Sequence, residues 1–170
     1  MNVPNAISLF RLLLVPVIFV VVYFHYNMSA LLVLGIAALS DWLDGYLARR
    51  LDQMTVTGQL LDPLVDKLFM LSVIVAMWMA NLMPLSAMAL LIFRDVCMIL
   101  IGLNYYVHGK RNAPANWMGK VTTTLYYAAV TSLLLQDVIP YTQFFLWGVI
   151  AFSGGTAVLY WFQAERLNRE

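Results

Sequence analysis

Four aspartates lie close together in a chain that is otherwise almost entirely apolar. They account for four of its nine acidic residues: Asp41, Asp44, Asp62 and Asp66. Carboxylates in apolar surroundings are costly unless a positive charge compensates them. Ligands that are all oxygen favour Mg²⁺ or Mn²⁺. The cluster therefore predicts a site for two divalent cations, which would cancel the four negative charges and hold a phosphate group.

The spacing of these aspartates suits two neighbouring helices. Asp41 and Asp44 are three residues apart, and Asp62 and Asp66 are four apart, so each pair lies on one helix face. Because the link between the helices is short, the two pairs can face each other across a hairpin. Paired metals assist displacement reactions at phosphorus. A single aspartate would more often be a water-facing charge at a helix end, but four at these spacings favour a metal site.

Residues between the two pairs fit the approach of a phosphate. Gly45 and Ala48 lie on the same helix face as Asp41, and their small side chains leave room for a bulky group. Arg49 offers a fork of donors that suits a phosphate. Gly58 allows the backbone to come close to a ligand.

The composition predicts an integral membrane protein. The 170 residues are 62% hydrophobic and only 11% charged, which is about half the charge of a soluble domain. Polar breaks divide the chain into six apolar segments, each long enough to cross a bilayer: residues 5–25, 30–49, 59–80, 85–105, 118–136 and 141–163. We predict one all-α domain over residues 1–170. The first segment lacks the basic start and the cleavage site of a signal peptide, so we expect it to be retained.

The cations predict the orientation of the chain. All ten Lys and Arg residues lie on the side of the termini and of the second and fourth connections, or in the adjoining helix halves. The positive-inside rule then places both termini and the aspartates on the cytoplasmic side, and we expect the membrane to be a bacterial inner membrane. A net charge of +1 without a basic stripe gives no indication of nucleic-acid binding.

The run from Asp41 to Asp66 matches, at every specified position, the signature of the CDP-alcohol phosphatidyltransferase family, D-x2-D-G-x2-A-R-x8-G-x3-D-x3-D. The first residues, which end at Arg11, also resemble that family's N-terminal N-x-P-N-x-x-[ST]-x-x-R segment. The resemblance implies six transmembrane helices with a short N-terminal juxtamembrane segment, and usually a homodimer. It also implies transfer of a phosphatidyl group from a CDP-lipid such as CDP-diacylglycerol to an alcohol, with release of CMP.

The same resemblance implies a role for each matching residue. All four aspartates would bind metal, and Asp66 would also be the general base. The nucleotide and its phosphates would be contacted by Pro4, Asn5, Ser8, Gly45, Ala48, Arg49, Thr55 and Gly58. A carboxylate that holds a metal is a weak base by itself, so Asp66 would depend on a metal that acidifies the incoming hydroxyl.

A second polar cluster bears on the acceptor alcohol. Its candidate acceptor-binding residues are Arg94, Asp95, Lys110, Arg111 and Lys120. Phosphatidylglycerophosphate synthases usually show Arg-Glu, a later Arg in the same helix, and G-K-x-K-T. This chain has Asp95 in place of Glu, no later Arg in that helix, and Thr122 in place of the second Lys.

The Arg-Asp-Val and [GS]-K-x-[NT]-T segments more closely resemble the CMP-forming cardiolipin synthases, whose acceptor is phosphatidylglycerol. Its phosphodiester carries one negative charge, whereas a phosphomonoester carries nearly two, so fewer cations suit it. Glycerol 3-phosphate is the alternative acceptor.

Other interpretations of these charges stay open. Lys110 and Arg111 could equally anchor a loop to anionic headgroups. Arg94 and Asp95 are stronger candidates because charges inside a spanning segment tend to be functional, and their adjacent positions argue against a mutual salt bridge. A small ion-coupled transporter is the alternative from another class, although it predicts acids near the bilayer midplane rather than at one end.

Overall fold

The computed structural model describes residues 3–50, 56–107 and 117–168. These residues form helices and no strand. The helices are α1 Val3–Tyr23, α2 Asn27–Arg50, α3 Val56–Met79, α4 Leu85–Val107, α5 Trp117–Leu134 and α6 Thr142–Asn168. The all-α prediction is confirmed, since each of the six predicted segments overlaps one helix. Within the described ranges, no helix is both long enough and apolar enough to cross a membrane.

The predicted N-terminal nucleotide contacts are part of α1. The helix begins at Val3, so Pro4, Asn5 and Ser8 belong to its first two turns. A proline is tolerated there because its missing N–H would have no partner within the helix at that position.

Helices α1 and α3 end with the same hydrogen-bond pattern. Beyond α1, the Tyr26 N–H donates to the Val21 carbonyl over 2.8 Å, and the chain reverses at His25 with a φ of 59°. Beyond α3, Leu82 donates to Met77 over 2.9 Å and the reversal is at Asn81, with a φ of 57°. This Schellman arrangement satisfies carbonyls that a helix end leaves open. It explains why helices stop at these predicted breaks although apolar residues continue around them.

Helices α1, α2 and α3 belong to one compact unit, Met1–Leu82. In it, α1 packs against both α2 and α3. The buried apolar side chains of this unit include Ile18, Val22, Leu34, Val65, Phe69, Val73 and Met77. The Ser72 hydroxyl of α3 also donates to the Val15 carbonyl of α1 over 3.0 Å. Helix α1 is therefore the common neighbour of the two helices that carry the aspartates.

Helices α4, α5 and α6 belong to a second compact unit, Met83–Glu170, in which α6 packs against α4 and α5. Its buried apolar side chains include Leu91, Ala129, Val130, Leu133, Leu146 and Val149. Two buried hydroxyls, those of Thr122 on α5 and Thr156 on α6, lie 3.4 Å apart in a hydrogen bond. This second unit carries Arg94, Asp95 and Lys120.

Candidate functional site

The aspartates lie where the sequence places them, on two helices that share a neighbour. Asp41 and Asp44 belong to the second half of α2, and Asp62 and Asp66 to the first half of α3. Since α1 packs against both helices, a side chain from α1 can contact acids on each of them. Arg11 of α1 makes these contacts.

The Arg11 guanidinium bridges two of the predicted metal ligands. Its Nη1 lies 3.1 Å from Asp41 Oδ1 in a salt bridge. The same nitrogen donates a hydrogen bond to Asp66 Oδ1 and forms a salt bridge with it. One nitrogen on α1 therefore joins carboxylates from α2 and α3. Ion pairs with arginine are charge-assisted and among the stronger hydrogen bonds in proteins.

Burial differs sharply between the three partners. The Arg11 side chain is only 2% exposed, whereas those of Asp41 and Asp66 are 55% and 35% exposed. A buried guanidinium is costly unless it is paired, and the two carboxylates supply that pairing. Their exposed sides stay accessible to a ligand. The arginine of this cluster is therefore buried in the protein, and the two carboxylates are partly exposed at its surface.

Two serines near the aspartates donate side-chain hydrogen bonds to backbone carbonyls. The Ser40 hydroxyl, next to Asp41, donates to the Ile36 carbonyl of its own helix over 2.7 Å. The bond from Ser72 to Val15 joins α3 to α1 less than two turns after Asp66. The first bond keeps the Ser40 hydroxyl within α2, and the second holds α3 against the helix that supplies Arg11.

The predicted metal ligands are described to different extents. The side chains of Asp41 and Asp66 share one cationic partner, so their oxygens can approach a single cation. For Asp44 and Asp62 the structure describes the helical backbone, and their side chains lie outside the described part. Among the side chains that are described, no three His, Cys, Asp or Glu residues come together as a metal site. The observed pair fits a divalent cation, because both members supply oxygen ligands from adjacent helices.

The predicted nucleotide contacts lie on the same three helices, apart from one residue. Pro4, Asn5 and Ser8 belong to α1, and Gly58 to the first turn of α3. The α2 positions are Gly45, Ala48 and Arg49. Their side-chain positions are outside the described part of the chain, and Thr55 falls in the link that is not described. These roles stay predictions.

The expectation that Arg94 and Asp95 form no mutual salt bridge is wrong. Arg94 Nη1 lies 2.7 Å from Asp95 Oδ1, so the adjacent residues do form a salt bridge. Their Cα–Cβ bonds diverge, but the arginine arm is long enough to fold back to its neighbour. The Arg94 guanidinium carbon also lies 5.8 Å from the centre of the Tyr126 ring on α5, within the range of a cation–π interaction. Arg94 therefore has an anionic and an aromatic partner within its own unit.

The remaining acceptor candidates are described less fully. Lys120 lies in the first turn of α5, and its side chain is outside the described part. Lys110 and Arg111 fall within residues 108–116, which the structure does not describe. Thr122, which stands where phosphatidylglycerophosphate synthases usually have a second lysine, is buried and bonded to Thr156. It therefore supplies no positive charge at that position.

Arg11 is the site residue that the sequence reasoning missed. The sequence patterns include Arg11 only in the N-terminal motif and in the distribution of cations. The signal was nevertheless present, because Arg11 is the one charged residue in the apolar α1 sequence. Charges within such segments tend to be functional, and applying that rule to Arg11 as well as to Arg94 would have identified it.

Comparisons with known proteins agree with the geometry. A family model described as CDP-alcohol phosphatidyltransferase matches residues 1–155. The chain is 33% identical over 171 residues to a CMP-forming cardiolipin synthase from Streptomyces coelicolor, a match that covers 95% of this chain and 78% of that protein. It is 37% identical over 145 residues to the CDP-diacylglycerol–glycerol-3-phosphate 3-phosphatidyltransferase of Salmonella typhimurium, covering 78% and 76% of the two chains.

A shorter match has higher identity. The corresponding transferase of Pseudomonas fluorescens is 52% identical over 71 residues, which is 40% of this chain and 36% of that protein. The similar proteins thus carry names of two acceptor types, while the family match spans most of the chain. The complete aspartate signature, the pairing of Asp41 and Asp66 through Arg11, and this match together show that the chain belongs to the CDP-alcohol phosphatidyltransferase family.

Proposed function

We propose that this protein transfers a phosphatidyl group from CDP-diacylglycerol to phosphatidylglycerol, forming cardiolipin and releasing CMP. The reaction class is supported above all by the pairing of Asp41 and Asp66 around one cation in a chain that belongs to this family. In the reaction, a hydroxyl oxygen of the acceptor forms a bond to the lipid-side phosphorus. The bond from that phosphorus to the CMP oxygen breaks, and the hydroxyl proton passes to Asp66.

The proposed cofactors are two Mg²⁺ or Mn²⁺ ions held by Asp41, Asp44, Asp62 and Asp66. Support comes from the oxygen-only donor set and from the shared cation of Asp41 and Asp66. When bound, such ions supply charge neutralisation at the diphosphate and make a coordinated hydroxyl more acidic. The protein itself orients the two carboxylates by holding α2 and α3 against α1. In this scheme, Asp66 would be the carboxylate that accepts the acceptor's proton.

The nucleotide contacts are proposed from the matching motif positions. Arg49 would bind the diphosphate through its fork of donors. Gly45 and Ala48 would leave space beside it, and the first two turns of α1 would complete the nucleotide site with Thr55 and Gly58. Support comes from the location of all these residues except Thr55 on α1, α2 and α3.

We place the protein across a bacterial inner membrane, with the aspartates and both termini on the cytoplasmic side. The cation distribution supports this orientation. Large apolar side chains are also widely exposed in both units, as at Leu13, Leu32, Phe93 and Phe144. Extensive exposed apolar surface often marks contact with a membrane or with another protein. We further expect a homodimer, which the mass of the purified protein in detergent would test.

The acceptor preference depends on how much positive charge Arg94 offers. Its salt bridge to Asp95 and its contact with the Tyr126 ring reduce the charge available to a ligand. Buried Thr122 adds none. A phosphodiester needs less neutralisation than a phosphomonoester does, so this environment favours phosphatidylglycerol. Lys120 would assist, and Lys110 and Arg111 would either assist or bind anionic headgroups.

Glycerol 3-phosphate is the second candidate acceptor, and it has support of its own. The Salmonella typhimurium transferase that is 37% identical to this chain takes its name from that acceptor. Both reactions release CMP from the same lipid, so CMP release alone does not separate them. The identity of the lipid product does.

The test is product analysis with purified protein and labelled CDP-diacylglycerol, with phosphatidylglycerol and glycerol 3-phosphate present together. We expect labelled cardiolipin and metal-dependent CMP release. Labelled phosphatidylglycerophosphate in its place would overturn the acceptor assignment and leave the reaction class intact. If neither acceptor gives CMP release in the presence of Mg²⁺ or Mn²⁺, the enzymatic assignment fails and the ion-coupled transporter becomes the better explanation.

A further inference from the structure

One nitrogen atom holds two carboxylates that are also predicted to bind metal. Arg11 Nη1 lies 3.1 Å from Asp41 Oδ1 and also bonds to Asp66 Oδ1. The two oxygens come from different helices, so their approach depends on a cation between them. Without one, two carboxylates at this range would repel each other.

A metal ion that bridged the same two oxygens would need the position of this nitrogen. Mg²⁺ lies about 2.1 Å from each oxygen ligand. The space between Asp41 Oδ1 and Asp66 Oδ1 therefore holds either the guanidinium nitrogen or an ion. A guanidinium and a divalent cation at adjacent positions would also repel each other. Both effects oppose simultaneous occupation.

We propose that Arg11 is the resident cation of the metal-free site and that a divalent cation displaces its guanidinium from between Asp41 and Asp66. This inference rests on the proposed metal site. In the metal-free protein, Arg11 keeps the carboxylates of α2 and α3 close to each other, so the ligand oxygens stay near their metal-bound positions. Arg11 is a positioning residue in this scheme, and metal entry breaks its two ion pairs.

The proposal predicts linked changes in protein stability and in metal affinity when Arg11 is replaced. If Arg11 stabilises the metal-free protein more than the metal-bound protein, its removal must tighten metal binding by the corresponding factor. A residue with only a structural role would stabilise both forms equally and leave metal affinity unchanged. A residue that stayed bound beside the metal and oriented its ligands would do the opposite, since its removal would weaken metal binding.

The test measures Mn²⁺ binding by the purified full-length protein in detergent, with neither lipid substrate present. We expect Arg11→Met to bind Mn²⁺ about ten-fold more tightly than the unmodified protein. Its melting temperature should fall more in a chelator than in saturating Mn²⁺. Arg11→Lys retains a positive charge with fewer donors, so its Mn²⁺ affinity should lie between the two. Thr122→Val changes a buried side chain of the second unit that has no proposed role in binding, and it should leave Mn²⁺ affinity unchanged.

A second measurement uses the unmodified protein and stays informative if the variants fail to fold. Phenylglyoxal modifies accessible guanidinium groups, and the modified position is identified by mass spectrometry. Because Arg11 is 2% exposed, it should be protected in a chelator and become modified when Mn²⁺ is added. Protection that persists in saturating Mn²⁺, or weaker Mn²⁺ binding by Arg11→Met, would overturn the displacement.

These results are separable from a failure of the proposed transfer reaction. Absence of CMP release together with tight Mn²⁺ binding would reject the enzyme activity and leave the Arg11 proposal standing. CMP release with Mn²⁺ binding that is indifferent to Arg11→Met would reject the Arg11 proposal alone. No Mn²⁺ binding by the unmodified protein would overturn both the metal site and the displacement.

Discussion

Each helical unit contains a paired arginine, buried in the first unit and partly buried in the second, but the two are paired in different ways. In the first unit, Arg11 joins aspartates on two other helices. In the second unit, Arg94 pairs with its own sequence neighbour Asp95 and lies over the Tyr126 ring. An ion pair between helices helps to fix the relative positions of those helices. An ion pair within one helix mainly reduces the net charge at one position on that helix.

This difference separates two tasks that charged groups perform in the proposed enzyme. The cluster around Arg11 holds carboxylates in place for cations, so its value depends on geometry. The group at Arg94 presents a partly neutralised cation, so its value depends on how much charge remains for an acceptor. Substitutions in the first unit should therefore affect turnover and metal binding, and those in the second unit should affect acceptor affinity and selectivity.

The largest effect is expected for Asp66→Asn. This change removes the proposed base and one carboxylate of the Arg11 pair, and general-base catalysis alone contributes a factor of about 100 or more. We expect CMP release to fall at least that far in an assay with saturating acceptor. Asp137→Asn, at an exposed turn position after α5, makes the same chemical change and should leave the rate unaltered. Normal turnover by Asp66→Asn would remove Asp66 as the base.

The contrast between the units also shows what the sequence could reveal. Polar breaks predicted the helices because an apolar segment of this length folds as a helix wherever turn residues do not interrupt it. The spacing of the aspartates predicted which acids share a face. The sequence could not predict which acids pair with Arg11. Helix α1 lies far from Asp66 in the chain, and nothing in the composition of α1 specifies which helices it contacts.

The wrong expectation for Arg94 has a different physical origin. Spacing rules describe the direction in which a side chain leaves the helix, and they serve well for short groups such as aspartate. The guanidinium of a long arginine side chain lies far from the Cβ atom. It can therefore contact a neighbouring side chain even when the two Cα–Cβ bonds point in different directions. The roles of Thr55, Lys110 and Arg111 stay predictions because these residues lie outside the described part of the chain.

A smaller effect is expected for Arg94→Met. Loss of a charged contact to the acceptor phosphate costs about 1.5–3 kcal/mol, so the acceptor KM should rise about ten-fold or more. The KM for CDP-diacylglycerol should not change, which steady-state kinetics with each substrate varied in turn would show. Equal changes in both constants would indicate a general structural role and would break the proposed division between the units.

Asp95→Asn sharpens the same comparison in the opposite direction. It removes the carboxylate that pairs with Arg94 over 2.7 Å and so leaves more positive charge for a ligand. Glycerol 3-phosphate carries more negative charge than phosphatidylglycerol. Its relative use should therefore increase by about three-fold, which corresponds to the free energy of a weak ion pair. The ratio of labelled products in the competition assay measures this change. A shift towards cardiolipin would contradict the charge-based account of acceptor choice.

The smallest effects are expected at the hydroxyls that join helices within each unit. Ser72→Ala removes the 3.0 Å bond from α3 to α1, and Thr122→Val removes the longer 3.4 Å bond from α5 to α6. Each should lower stability by about 1 kcal/mol, which corresponds to about 2–4 °C in melting temperature for a chain of this size. Only Ser72→Ala should also weaken Mn²⁺ binding, because only its bond helps to fix the position of a helix that carries proposed metal ligands. Equal Mn²⁺ affinities of the two variants would mean that packing alone keeps α3 in place beside α1, without a contribution from this hydrogen bond.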